Sequence, residues 1–140
     1  MNTQIAGLAV ALAISAGAYA DEVPFSELKS KGAIVLTEDE LKQLLPGATL
    51  RYESSVNNTQ VKLAADGTVQ GFASPRIGAG AGNSGTFDGT WTIEGARWCV
   101  TTRRKLHFCR DVIKVGDKYY SALANPRNEG RLAAELTVSK

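Results

Sequence analysis

From Ala48 to the C-terminus the chain breaks into short β-prone runs separated by glycine turn signals, a cadence that restricts it to successive antiparallel hairpins. Asp66-Gly67, Glu94-Gly95 and Gly116-Asp117 are two-residue hairpin chemistry, and residues 125–130 read as a longer turn. The runs between them predict strands near 49–56, 59–65, 68–73, 86–93, 97–102, 106–113, 118–124 and 132–138. About eight strands is the number at which a meander can curl on itself and hide its edges. The predicted fold is mainly β: an antiparallel meander forming a small lipocalin-like barrel or a strongly curved sheet.

Ahead of the meander the pattern changes. Pro24 to Lys29 and Thr37 to Leu45 carry the helical signals. Thr37 with Glu40 three residues on forms a capping box ahead of Leu41, Leu44 and Leu45, and Pro46-Gly47 ends the run. Residues 21–47 are thus an N-terminal segment with one or two short helices, and 48–140 the β domain. Residues 5–16 are uncharged and apolar and lead to Ala18-Tyr19-Ala20, the small-x-small pattern of a signal peptide cleaved after Ala20. That run is about a dozen residues where a span needs roughly 20. A periplasmic or secreted product without a transmembrane span is expected.

Composition removes several classes of function. Of 140 residues, 16 are Lys or Arg against 14 Asp or Glu, a near balance that argues against a nucleic-acid partner. One His and two Cys cannot furnish several metal sites, so neither metal nor cofactor is expected. The glycine-rich stretch 78–85 leads into a strand rather than a helix, so it reads as a loop over a barrel mouth and not as a phosphate cradle.

A secreted domain with two cysteines normally joins them. A hairpin centred on Arg104 sets Cys99 opposite Cys109, and the same register pairs Arg97 with Asp111, Trp98 with Arg110, Val100 with Phe108, and Thr101 with His107. One opposite-charge pair, one cation–π pair and one apolar pair agree with it. The turn Arg103-Arg104-Lys105 lacks the glycine that a three-residue hairpin loop usually contains, which predicts a wider turn.

Leu36 to Leu41 with Gly47, Ala65 to Thr68, Gly89 to Gly95 leading to Trp98-Cys99, and then Cys109 with Gly116 to Tyr120 make up a Gly-Thr-Trp…Trp-Cys…Cys pattern. It resembles a family of small secreted bacterial proteins of unassigned function. The resemblance covers most of the chain beyond Ala20. It implies secretion, the disulfide and a small β fold, and implies no activity.

Two binding surfaces stand out. Alternation puts Phe87, Gly89, Trp91 and Ile93 on one face of their strand, so Phe87 and Trp91, with Trp98, are candidate ligand-lining residues if the barrel holds a small apolar molecule. Arg103, Arg104, Lys105 and Arg110 gather on one hairpin and are candidates for docking on an anionic envelope component or protein. The expected function is a non-catalytic binding module. The rival is a hydrolase built on His107, with Asp88 or Asp111 to orient it, but no Gly-x-Ser-x-Gly elbow marks a nucleophile.

Overall fold

The computed structural model describes residues 22–53, 57–75, 85–123 and 131–140. The signal peptide read at 1–20, nearly all of the glycine-rich stretch and the turn at 125–130 lie outside the described residues. The protein is an antiparallel, closed eight-strand barrel, with two helices among the described residues, 61% of which are strand. In chain order the elements are β1 (Val23–Pro24), α1 (Phe25–Ser30), β2 (Ile34–Val35), α2 (Glu38–Leu44), β3 (Thr49–Glu53), β4 (Asn57–Leu63), β5 (Thr68–Pro75), β6 (Gly85–Ile93), β7 (Trp98–Thr102), β8 (His107–Val115), β9 (Lys118–Leu123) and β10 (Leu132–Ser139). Each of β3 to β10 pairs with its successor, and β10 returns to β3, with Leu136 opposite Tyr52 and Val138 opposite Leu50.

Closure converts strand alternation into an inside and an outside. Leu50, Val61, Leu63, Val69, Trp91, Trp98, Val100, Val112 and Leu136 form one core inside the wall, joined by Leu36, Leu41 and Leu45. Leu41 lies on α2 and Leu45 is its C-cap, and this helix covers the barrel end where β4, β6 and β8 finish. Burying each leucine contributes about 1.5–3 kcal/mol. The helix starts where the capping box predicts: Thr37 Oγ1 accepts from the Glu40 N–H at 3.2 Å, and Glu40 Oε1 accepts from the Thr37 N–H at 3.0 Å. Those bonds hold the Glu40 carboxyl below its ordinary value of 4.5. A lowered folded value means that this group contributes stability above 4.5 and loses it as pH falls through the folded value. Glu40→Gln should therefore melt at lower temperature than wild type near pH 6, and the gap should narrow below pH 4.5, as melting curves from pH 3 to 7 would show.

Two strands that periodicity cannot reveal finish the wall. Along one edge of β8, β7 pairs with His107–Arg110 and β2 takes over at Ile113 and Lys114; along one edge of β10, β3 pairs with Leu136–Ser139 and β1 covers Leu132 and Ala133. Both edges left by shorter neighbours are thereby paired. Between these strands α1 lies outside the barrel, with Phe25 and Leu28 against Ile113, Ala122 and Ala133.

The cysteine hairpin has the expected register, with Cys99 opposite Cys109, Trp98 opposite Arg110, Val100 opposite Phe108 and Thr101 opposite His107. The disulfide is formed, with Cα atoms 4.0 Å apart. The Thr102 N–H donates to Leu106 C=O. By alternation, Cys99 and Cys109 then form a non-hydrogen-bonded pair, the closer of the two kinds. Three pairing details differ from expectation. The ladder stops at Trp98, so Asp111 meets Arg131 rather than Arg97. Trp98 packs edge-on against Phe108, and the guanidinium of Arg110 lies over Tyr52 instead. The turn is also no wider than three residues. Lys105 takes the left-handed position (φ 71°) that glycine normally fills, and its N–H donates to Thr102 C=O. Lys105→Gly should relieve that strain and raise stability by about 0.5–1 kcal/mol, read as a higher urea midpoint at unchanged m-value.

Candidate functional site

The barrel has unlike ends. At the α2 end the helix covers the two tryptophans: Trp98 is 0% exposed and Trp91 8%, and the Trp91 indole N–H donates to Ala64 C=O at 2.8 Å, while Ile93, Tyr119 and Val138 at the margin are partly exposed. At the opposite end, where β3, β5, β7 and β9 finish, the inward residues Tyr52, Phe87 and Phe108 keep partial exposure. Leu123 and Leu132, also inward by register, stand at this rim 55% and 51% exposed.

Phe87 belongs to this wall for a local reason. It sits directly opposite Gly71, and its ring occupies the space that a side chain on Gly71 would need. The ring therefore packs against the β5 backbone at Gly71. Of the three residues expected to line a ligand, Phe87 is in the open half, whereas Trp91 and Trp98 belong to the covered core.

The four basic residues divide as well. Arg103, Arg104 and Lys105 are exposed at the β7–β8 turn, and Arg103 is ion-paired to Asp88. Arg110 is elsewhere. It follows Phe108 and precedes Val112 on the inward face of β8, and its Nε–H donates to Ser121 Oγ at 2.7 Å while its guanidinium carbon stands 4.8 Å from the centre of the Tyr52 ring. Burial pushes the Tyr52 hydroxyl above its usual value, against the pull of Arg110, so it stays neutral. Alternation along 108–112 already marks Arg110 as inward. Tyr52 and Ser121 carried no such signal, because β3 and β9 reach Arg110 only when the barrel closes.

His107 is exposed on the outer face, its Nδ1 2.9 Å from Thr101 Oγ1 and its Nε2 3.6 Å from Cys109 Sγ. The acids expected to orient it are engaged elsewhere, Asp88 with Arg103 and Asp111 with Arg131. Glu94, Cys99, His107 and Cys109 bring their donor atoms within 4.8 Å of one another, a grouping that the spacing alone did not show. With the two sulfurs bonded to each other, the thiolates that would bind a metal are not available there.

Among the described residues, no helix is long and apolar enough to cross a membrane. The disulfide is compatible with an extracellular location. Compared with protein-family models, curated proteins and solved structures, the chain matches none.

Proposed function

We propose that the protein is a non-catalytic binding protein of an oxidising compartment, the periplasm or cell exterior, that holds a small and largely apolar molecule in the open half of its barrel. The observation that carries this reading is the contrast between the two ends. At the α2 end the helix covers a core of Leu41, Leu45, Trp91 and Trp98, with Ile93, Tyr119 and Val138 partly exposed at its margin. At the other end Tyr52, Phe87 and Phe108 face inward, partly exposed with no described helix over them, beneath an apolar rim of Leu123 and Leu132 that is more than half exposed. Inward-facing apolar side chains left accessible to solvent are what a preformed ligand site offers. The disulfide fits the compartment.

Native mass spectrometry of protein taken from its own compartment, without reductant, tests the reading. Extra mass of a few hundred daltons that leaves on denaturation supports it. Loss of that mass in Phe87→Ala/Phe108→Ala, with a folded circular dichroism spectrum, would assign the ligand to this end. A bare chain that also takes up no decan-1-ol in solution overturns it.

A further inference from the structure

We propose that the ligand is an amphipathic anion whose carboxylate is held inside the barrel by Arg110, with its apolar chain directed past Phe87 and Phe108 towards the rim. This rests on the reading of the open half of the barrel as a binding site.

The argument begins with space. Ser121 on β9 and Ala134 on β10 are paired neighbours facing inward, and both are small. The Arg110 side chain crosses this low stretch of wall from β8 to reach Tyr52 on β3. The barrel thus holds a half-buried guanidinium on its inner face, an unusual place for a permanent charge.

Charge balance is the second step. The buried Arg131 has Asp111 at 2.9 Å, and the other inward cation, Lys114, lies within electrostatic reach of Glu40. Arg110 has no carboxylate partner among the described residues. Ser121 takes only its Nε–H and the Tyr52 ring lies 4.8 Å from the guanidinium carbon, which leaves the terminal N–H donors without a protein acceptor among the described residues. Directly opposite Arg110 on the same inner face, Trp98 is fully buried and its indole N–H has no acceptor. At this level the N–H donors of Arg110 and Trp98 are therefore left without protein acceptors among the described residues. A carboxylate is the complementary group, since it accepts two parallel bonds from the guanidinium fork.

Polarity along the barrel sets the class of the rest of the molecule. Above Arg110 the inward groups are the apolar Phe108, Phe87, Leu123 and Leu132 with the uncharged polar Asn57, Thr59 and Thr102, a wall that suits an alkyl chain and no second charge. A medium-chain carboxylic acid bound head inward satisfies both levels.

Calorimetric titration of the full, disulfide-bonded protein with decanoate and with decan-1-ol tests the assignment, since the two probes share a chain and differ at the head. Decanoate should bind at least tenfold more tightly, and Arg110→Met should bring it to the level of the alcohol while changing alcohol affinity less than twofold. In wild-type protein, needing no variant, the Arg110 Nε–H resonance should shift with decanoate and not with decan-1-ol. Equal affinity for both probes, or a preference that survives Arg110→Met, overturns the role of Arg110 and leaves the barrel reading standing. Binding of neither probe overturns both.

Discussion

Replacing Gly89 by Ala is expected to destabilise the barrel by about 3 kcal/mol or more, at the upper end of overpacking effects. Gly89 lies in β6 opposite Thr102, and a Cβ there would run into the Thr101 carbonyl oxygen and come within 2.8 Å of the Thr102 Cα. Both atoms are backbone, so no side-chain rotation relieves the clash. Strand β7 cannot easily retreat either, because Cys99 ties it to β8 on its other side. Gly85 is the control: a Cβ there meets nothing within 4 Å, so Gly85→Ala should leave the urea midpoint unchanged. A loss below about 1 kcal/mol at Gly89 would mean that the β6–β7 pair opens more readily than its register implies.

The second large effect is expected at Arg131→Met. Arg131 and Asp111 form an ion pair on the outer wall beneath the N-terminal segment, their side chains 8% and 13% exposed, and Arg131 also stacks over Phe25 at 4.4 Å. Removing the cation leaves a buried carboxylate, at a cost of about 3–5 kcal/mol near neutral pH. Even in the intact protein, burial raises the Asp111 carboxyl above its ordinary 3.8, outweighing the pull of Arg131 and then Arg97. Without Arg131 the folded value rises further. A carboxyl with a raised folded value holds its proton more tightly when folded, so the variant should be best preserved below 3.8 and lose stability as pH climbs through the folded value. Urea titrations at pH 4 and 7 should show the deficit growing with pH. Asp111→Asn/Arg131→Met should recover part of it at pH 7, and equal deficits at both pH values would count against an ionised buried Asp111.

Much of this protein was legible in the order of its residues, because the signals concerned are local. Glycine turns, period-two alternation and the Thr37–Glu40 box act within a few residues, and they set the strands β3 to β10, the start of α2 and the register of the cysteine hairpin. The placement of Phe87 on an inner face follows from the same alternation, whereas Arg110, expected among the docking residues of the basic hairpin, lies inward instead.

What lay beyond local physics was decided by closure. The pairing of β10 with β3 joins segments from opposite ends of the domain, and no periodicity encodes which residues then meet across the interior. Only that pairing brings Tyr52 to Arg110, and only the covering of one end by α2 separates Phe87 from Trp91 and Trp98. Likewise β1 and β2 exist because longer neighbours left edges unpaired, and two residues are too few to carry a pattern. Arg97 loses Asp111 for the same reason: where the ladder of β7 stops, tertiary contacts with Arg131 take over. Local sequence thus determined the strands and their faces, and the closed barrel determined which faces share a site.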